Sequence, residues 1–191
     1  MLEKVVFLDR DGVINRNSSY YVKHWAEFEF LPGSKAAIKS LTVNGYTIFI
    51  ITNQSIINRK MVPREILGDI HMRMKVDVEA AGGKISDIFF CPHTPAENCD
   101  CRKPRPGLIY QAQKAHGVDL STATMVGDNA KDIECARNSG CGSAILVRTG
   151  CGIEAEKTLR DHKQYPDYVA RDLNAAARWI IDTHNRNDPA Q

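Results

Sequence analysis

Short β-branched and aromatic runs alternate along the chain with stretches whose apolar residues recur at helical spacing, and turn residues separate the two. Lys4 to Leu8 reads as a buried strand. Pro32-Gly33-Ser34 offers a helix start with Ser34 as N-cap; Ala37, Ile38 and Leu41 follow on one face, and Gly45 stops the helix. Tyr46 to Ile51 is a second strand. Pro63 suits a first helical turn, Ile66, Leu67, Ile70 and Met74 mark the inner face, and Gly82-Gly83 end it. A third strand lies within Ile85 to Phe90, and a polar, Pro- and Cys-rich loop runs from Cys91 to Arg105. Pro106 then opens a helix carrying Leu108, Ile109 and Ala112 that stops at Gly117. Thr124 to Val126 and Ser143 to Val147 read as strands, with a helix from Asn129 to Ser139 between them. A last helix is expected from Asp172 to His184, with residues 185–191 as a flexible tail. Cys151 to Tyr168 carries no assignable chemistry. Strands alternating with helices predict an α/β fold, a Rossmann-like three-layer sandwich with a mostly parallel sheet.

Length and charge narrow this picture. At 191 residues the prior is one domain, here residues 1–184. Lys and Arg number 25 against 23 Asp and Glu, for a net charge of +2, which excludes bulk electrostatic binding of nucleic acid and an acidic disordered chain. The apolar run Val5 to Leu8 is far short of the roughly 18 residues of a membrane span. The first residues lack the apolar stretch of a signal peptide, so a cytoplasmic location without membrane contact is expected.

Four constellations sit where strands end or helices begin, which is where open α/β sheets bind ligands. Asp9-Arg10-Asp11-Gly12 follows the first strand; its two carboxylates can serve as nucleophile and acid–base pair, and the same residues also fit an acidic turn. Thr52-Asn53-Gln54-Ser55 follows the second; a hydroxyl and nearby N–H groups there can hold phosphate oxygens, or simply make a turn. Lys103, in Cys101-Arg102-Lys103-Pro104-Arg105-Pro106, is a point charge suited to phosphate, or part of a solvated basic loop. Gly127-Asp128-Asn129-Ala130-Lys131-Asp132 follows the fourth strand; Asp128 can ligate Mg²⁺, and Asp132 can bond back to Lys103 or simply favour the first turn of a helix.

In this order, the four resemble the motifs of the haloacid dehalogenase superfamily of phosphohydrolases. The resemblance implies that Asp9 is the nucleophile that forms an aspartyl phosphate. It implies that Asp11 is the general acid and base, and that Thr52 and Lys103 hold the phosphoryl oxygens. It further implies that Asp9, Asp128 and the Asp11 backbone carbonyl bind a catalytic Mg²⁺. Superfamily members usually carry a cap domain. The intervals Asp11–Thr52 and Thr52–Lys103, with 40 and 50 intervening residues, are consumed by the expected elements, so no cap domain is expected.

Cys91, His93, Cys99 and Cys101 offer three thiolates and an imidazole within eleven residues, matching a closed structural Zn²⁺ site in a loop spanning 91–105. Cys135, Cys141 and Cys151 lie singly and read as buried or free thiols. A zinc loop before Arg-Lys-Pro resembles that of the D-glycero-D-manno-heptose 1,7-bisphosphate 7-phosphatases, a usually monomeric group in bacterial heptose nucleotide and lipopolysaccharide biosynthesis. The histidinol-phosphate phosphatases are a sibling family with a similar loop. For a small phosphorylated sugar, the resemblance implies contacts from Asn17, Ser18, Ser19 and Tyr20, from Asn53, Gln54 and Ser55, and from Arg102 and Asn129. A rival of another class is a zinc-dependent nucleic-acid-binding module built on Arg102, Lys103 and Arg105. It leaves Asp9, Asp11 and Asp128 unexplained.

Overall fold

Val5 to Leu8 is apolar at every position, and all four side chains are buried, as a strand covered on both faces requires. Each such side chain stabilises the fold by about 1.5–3 kcal/mol. In the computed structural model, which describes residues 2–187, this strand (β1, Val5–Leu8) lies at the centre of a six-stranded, wholly parallel sheet. The chain continues through α1 (Ser34–Val43), β2 (Thr47–Asn53), α2 (Arg64–Ala80), β3 (Asp87–Cys91) and α3 (Gly107–His116). It ends with β4 (Thr124–Gly127), α4 (Ala130–Ser139), β5 (Ser143–Val147), α5 (Gly152–Asp161), β6 (Tyr168–Ala170) and α6 (Leu173–Asn187). The strand order is β3-β2-β1-β4-β5-β6, so the chain reverses direction across the sheet between β1 and β4.

The period-2 alternation of β1 sorts two cores. Val6 and Leu8 join α1, α2 and α6 on one face; Val5 and Phe7 join α3, α4 and α5 on the other. The intervals where a cap domain would be inserted hold little else. A 3₁₀ turn (Trp25–Glu27) and α1 fill the first, α2, β3 and a 3₁₀ turn (Pro95–Glu97) the second. The segment after β1 folds back on itself through Arg16 N–H to Glu29 O and Leu31 N–H to Ile14 O, over stacked Trp25 and Phe28. No helix among the described residues is long and apolar enough to cross a membrane.

Several expectations change. Ser34 is not the N-cap but the first helical residue; Gly33, at φ 79°, holds the cap position, and the Ser34 hydroxyl is buried inside the helix. β2 runs two residues further, because Thr52 pairs with Phe90 and Asn53 with Cys91. Thr52 and Asn53 therefore sit on the strand rather than after it. The segment Cys151 to Tyr168, to which no chemistry was assigned, forms α5 and leads into the edge strand β6. The last helix continues to Asn187 where a tail was expected from residue 185; the rest of that tail, 188–191, lies outside the described residues.

Candidate active site

The reversal between β1 and β4 opens a crevice at the strands' carboxyl ends. Asp9 enters it directly from β1, its N–H bonded to Val126 O of β4 at 3.0 Å. Lys103 arrives from the loop before α3. A reciprocal pair of bonds fixes its backbone to β2: Lys103 N–H donates to Asn53 Oδ1 at 3.1 Å, and Asn53 Nδ2 donates to Lys103 O at 3.2 Å. Lys103 is 3% exposed, and its ammonium lies 3.0 Å from Asp9 Oδ1 and 2.6 Å from Asp132 Oδ1. Asp132 also closes the capping box of α4 by accepting from Asn129 N–H at 3.0 Å. It therefore braces the lysine and caps a helix at once.

Asp128, on the turn after β4, accepts from Cys151 N–H at 2.8 Å. Two glycines enclose it. Gly12 (φ 82°) and Gly150 (φ 58°) hold left-handed backbones, and a Cβ on either would overlap Asp128 Oδ2. The loop after β5 is thus part of the site. Thr149 Oγ1 reinforces it with a 2.6 Å bond to Gly12 O.

Asp11 is oriented on both oxygens. Arg10 Nη2 donates to Oδ1 at 2.9 Å and Oδ2 at 3.0 Å, Asn15 Nδ2 to Oδ1 at 2.9 Å, and Gln54 Nε2 to Oδ2 at 2.8 Å. The same Gln54 amide donates to Thr52 Oγ1 at 3.0 Å. Arg10 is itself buried, and its Nη1 meets His71 Nε2 of α2 at 3.2 Å.

Electrostatics separate the carboxylates. Burial pushes Asp9 up to about 6, against the pull of Lys103 and with the repulsion of Asp132 and Asp11. Burial, with the charges of Asp9 and Asp132, pushes Asp128 up to about 8. Burial also acts to raise Asp11, but Arg10 and the bonds from Asn15, Arg10 and Gln54 outweigh it, and Asp11 stays below the usual carboxylate range. Burial and the Arg10 charge push His71 down to about 3. Asp9, Asp128 and Asp132 bring carboxylate oxygens within 4.8 Å of one another. Asp132 is engaged by Lys103 and Asn129, while Asp9 and Asp128, whose ionisation burial opposes, offer hard oxygen donors that fit a divalent cation such as Mg²⁺.

The second cluster stands beside Lys103. Cys91 Sγ lies 3.5 Å from His93 Nδ1 and 3.5 Å from Cys99 Sγ; His93 Nδ1 lies 3.3 Å from Cys101 Sγ, which is 3.5 Å from Cys99 Sγ. Tetrahedral Zn²⁺ with Zn–S of about 2.3 Å needs ligand separations of about 3.8 Å, so the donor set and its spacing fit zinc. All six cysteines are free.

A cleft of about 240 Å³ unites Asp9, Asp11, Thr52, Lys103, Asp128 and Asp132. Of the expected substrate contacts, Asn17, Ser18, Asn53, Gln54, Arg102 and Asn129 line it. Ser19 lies in the adjoining groove instead. Tyr20 is 78% exposed and lines neither, while Ser55 is buried at the start of the next turn and accepts from Arg59 Nε at 3.4 Å. Arg102 is steadied by a 3.0 Å bond from Nη1 to His93 O. Sequence reasoning gave no site role to Arg10, Tyr21, Val22, Lys131 and Cys151 of the lining. Arg10 and Lys131 stood inside the motifs after the first and fourth strands, and Cys151 in Gly150-Cys151-Gly152 just after a strand.

Comparison with known proteins agrees with this geometry. A family model described as "HAD-hyrolase-like" matches residues 100–176. A Pseudomonas aeruginosa protein named D-glycero-beta-D-manno-heptose-1,7-bisphosphate 7-phosphatase is 42% identical, over 95% of this chain and 99% of its own. The Pseudomonas putida protein of the same name is 39% identical, over 93% and 99%. The crystal structure of D,D-heptose 1,7-bisphosphate phosphatase from B. bronchiseptica, complexed with magnesium and phosphate, superposes with a TM-score of 0.87 at 36% identity, over 94% of this chain and 99% of that one.

Proposed function

Because the chain belongs to the haloacid-dehalogenase-like phosphatases, in the family named for D-glycero-D-manno-heptose 1,7-bisphosphate, we propose that it hydrolyses the 7-phosphate of that sugar. The observation that carries the reading is the Asp9 carboxylate at the end of β1, 3.0 Å from Lys103, with Asp11 and Thr52 in the same cleft.

Asp9 attacks phosphorus; the Asp9–phosphate bond forms as the bond from phosphorus to the C7 oxygen breaks. Lys103 and Thr52 hold the non-reacting oxygens and offset the repulsion between carboxylate and phosphate. Asp11, an anion in the free site, takes up a proton as the dianionic phosphate enters beside it, and gives that proton to the leaving sugar oxygen. It then takes one from the water that hydrolyses the acyl phosphate, which restores Asp9 and releases inorganic phosphate. Mg²⁺, held by Asp9, Asp128 and the Asp11 backbone carbonyl, supplies charge neutralisation when bound. Asn17, Ser18 and Asn129 take the sugar hydroxyls, and the Arg102 fork takes the second phosphate. Cys91, His93, Cys99 and Cys101 would hold Zn²⁺, whose role would be to brace the loop that carries Lys103. The enzyme works as a cytoplasmic monomer on a free sugar phosphate, without nucleic acid or membrane, in heptose nucleotide biosynthesis. Its preferred anomer is β, the form in the names of the Pseudomonas relatives.

Phosphate release with Mg²⁺ from both heptose bisphosphate anomers and from histidinol phosphate tests this, with Asp9→Asn as the blank. Preference for the β anomer is expected. Preference for histidinol phosphate would overturn the substrate, and release that persists in Asp9→Asn would overturn the mechanism.

A further inference from the structure

We infer that His71 is a positioning residue for the Asp11 carboxylate, acting through Arg10. The inference rests on the proposed acid–base role of Asp11.

His71 lies on the apolar stripe of α2 with Leu67, Ile70 and Met74, and nothing in the sequence distinguishes it from a core residue. Its ring packs edge-on against Phe90, 5.8 Å between centroids, so its direction is set by the core. It does not line the cleft. What it touches is Arg10, and Arg10 is 1% exposed. A guanidinium has five N–H donors and no acceptor. Nε and Nη2 face Asp11, and Nη1 faces His71 Nε2 at 3.2 Å. Since arginine can only donate, His71 Nε2 must carry a lone pair. The imidazole is neutral, with its proton on Nδ1.

That neutrality suits the task. A carboxylate at this place would compete with Asp11 for the arginine's charge, and an ammonium would push the arginine away. A neutral acceptor directs one edge of the guanidinium and so fixes the other edge, Nε and Nη2, on Asp11. Without it, a buried Nη1 loses its partner and the fork can rotate off the carboxylate. Asn15 and Gln54 would then hold Asp11 alone.

A leaving-group comparison separates positioning from general disruption. The specificity constant kcat/KM covers events through the first irreversible step, here departure of the leaving group. An alkoxide needs the proton that Asp11 supplies, whereas p-nitrophenolate leaves without one. His71→Leu removes the acceptor; His71→Gln keeps an amide oxygen where Nε2 stands. We expect His71→Leu to lower kcat/KM on the heptose bisphosphate about tenfold and on p-nitrophenyl phosphate less than about threefold. His71→Gln should restore the sugar substrate to within about threefold of the parent. Equal losses on both substrates, no loss on either, or failure of His71→Gln to restore activity while folded would each overturn the inference. Thermal melting identifies an unfolded His71→Leu, and His71→Ala then takes its place. An unaltered enzyme that releases phosphate from neither substrate would overturn the proposed function, and this inference with it. An active enzyme indifferent to His71 overturns the inference alone.

Discussion

Two clusters of four side chains stand side by side and are built in opposite ways. Cys91, His93, Cys99 and Cys101 come from the end of β3 and the loop that follows it, within eleven residues of chain. Asp9, Lys103, Asp128 and Asp132 come from the end of β1, the loop before α3, the turn after β4 and the first turn of α4. The first is local: its donors lie 3.3–3.5 Å apart within one short stretch of chain, and since thiols and an imidazole have little mutual attraction, the proposed Zn²⁺ would be what holds them there. The second is assembled by the sheet, which forces three acids together around one buried lysine. One cluster depends on its ligand for shape, the other on the fold.

The sharpest way to divide them is Asp9→Asn. It should lower turnover by at least about 10³-fold while the zinc content, measured by elemental analysis, stays at the parent value. A folded variant with near-parent turnover would break the assignment. The converse is Cys99→Ser, or removal of zinc by a chelator. The loop should lose its shape, melting temperature should fall, and kcat should drop about 10–100-fold as Lys103 loses its brace. Unchanged kcat after zinc removal verified by metal analysis would mean that Asn53 and Asp132 position the lysine unaided.

A third test concerns the fold-built cluster alone. Gly150→Ala places a methyl against Asp128 in a left-handed backbone. It should weaken Mg²⁺ binding about tenfold and cost about 1–3 kcal/mol of stability, read by titration and by denaturant unfolding.

Acidity gives a fourth, smaller effect. Asp128 is raised to about 8 and Asp9 to about 6 by burial and mutual repulsion. An acid with a raised folded pKa binds protons more tightly folded than unfolded. Its contribution is therefore fully present below the ordinary carboxylate range, near 4, and is lost as pH rises through about 6 for Asp9 and about 8 for Asp128. The metal-free protein should lose stability across that window, and Mg²⁺ should reverse the loss. Apparent Mg²⁺ affinity should improve by up to about tenfold per pH unit per displaced proton and level off above pH 8. A flat calorimetric profile from pH 6 to 9 would contradict this. The smallest effect is Arg105→Ala. Its bonds to Asn98 O and Cys99 O lie at the loop's exposed edge, and their loss should cost under about 1 kcal/mol.

The two modes of construction also explain what was legible in the sequence. The zinc donors could be read directly because their spacing is their geometry. The acids could be read because parallel strands present their carboxyl ends together, so Asp9 and Asp128 had to meet once β1 and β4 were neighbours. Less local features did not show. Arg10 and His71 sit 61 positions apart, and neither residue hints at the other. α5 hid in a polar segment where only Ala155 and Leu159 bury apolar side chains, and β6 has three residues. Tyr20 and Tyr21 are alike in sequence, and only the left-handed turn at Tyr21 decides which one lines the cleft.

The order of the strands has a consequence in time. Half of the sheet, β3-β2-β1, is written by the first part of the chain, and the other half, β4-β5-β6, by the last. A nascent polypeptide that has just left the ribosome through Lys103 already holds Asp9, the lysine and all four residues of the Cys/His cluster. It holds neither Asp128 nor Asp132. Chains emerge at about 5–20 residues per second, so for a second or more the thiol loop would be free to capture the proposed Zn²⁺ while the carboxylate nest does not yet exist. Loading of the two proposed metals would thereby be sequential: soft donors first, and the hard site only in a finished molecule.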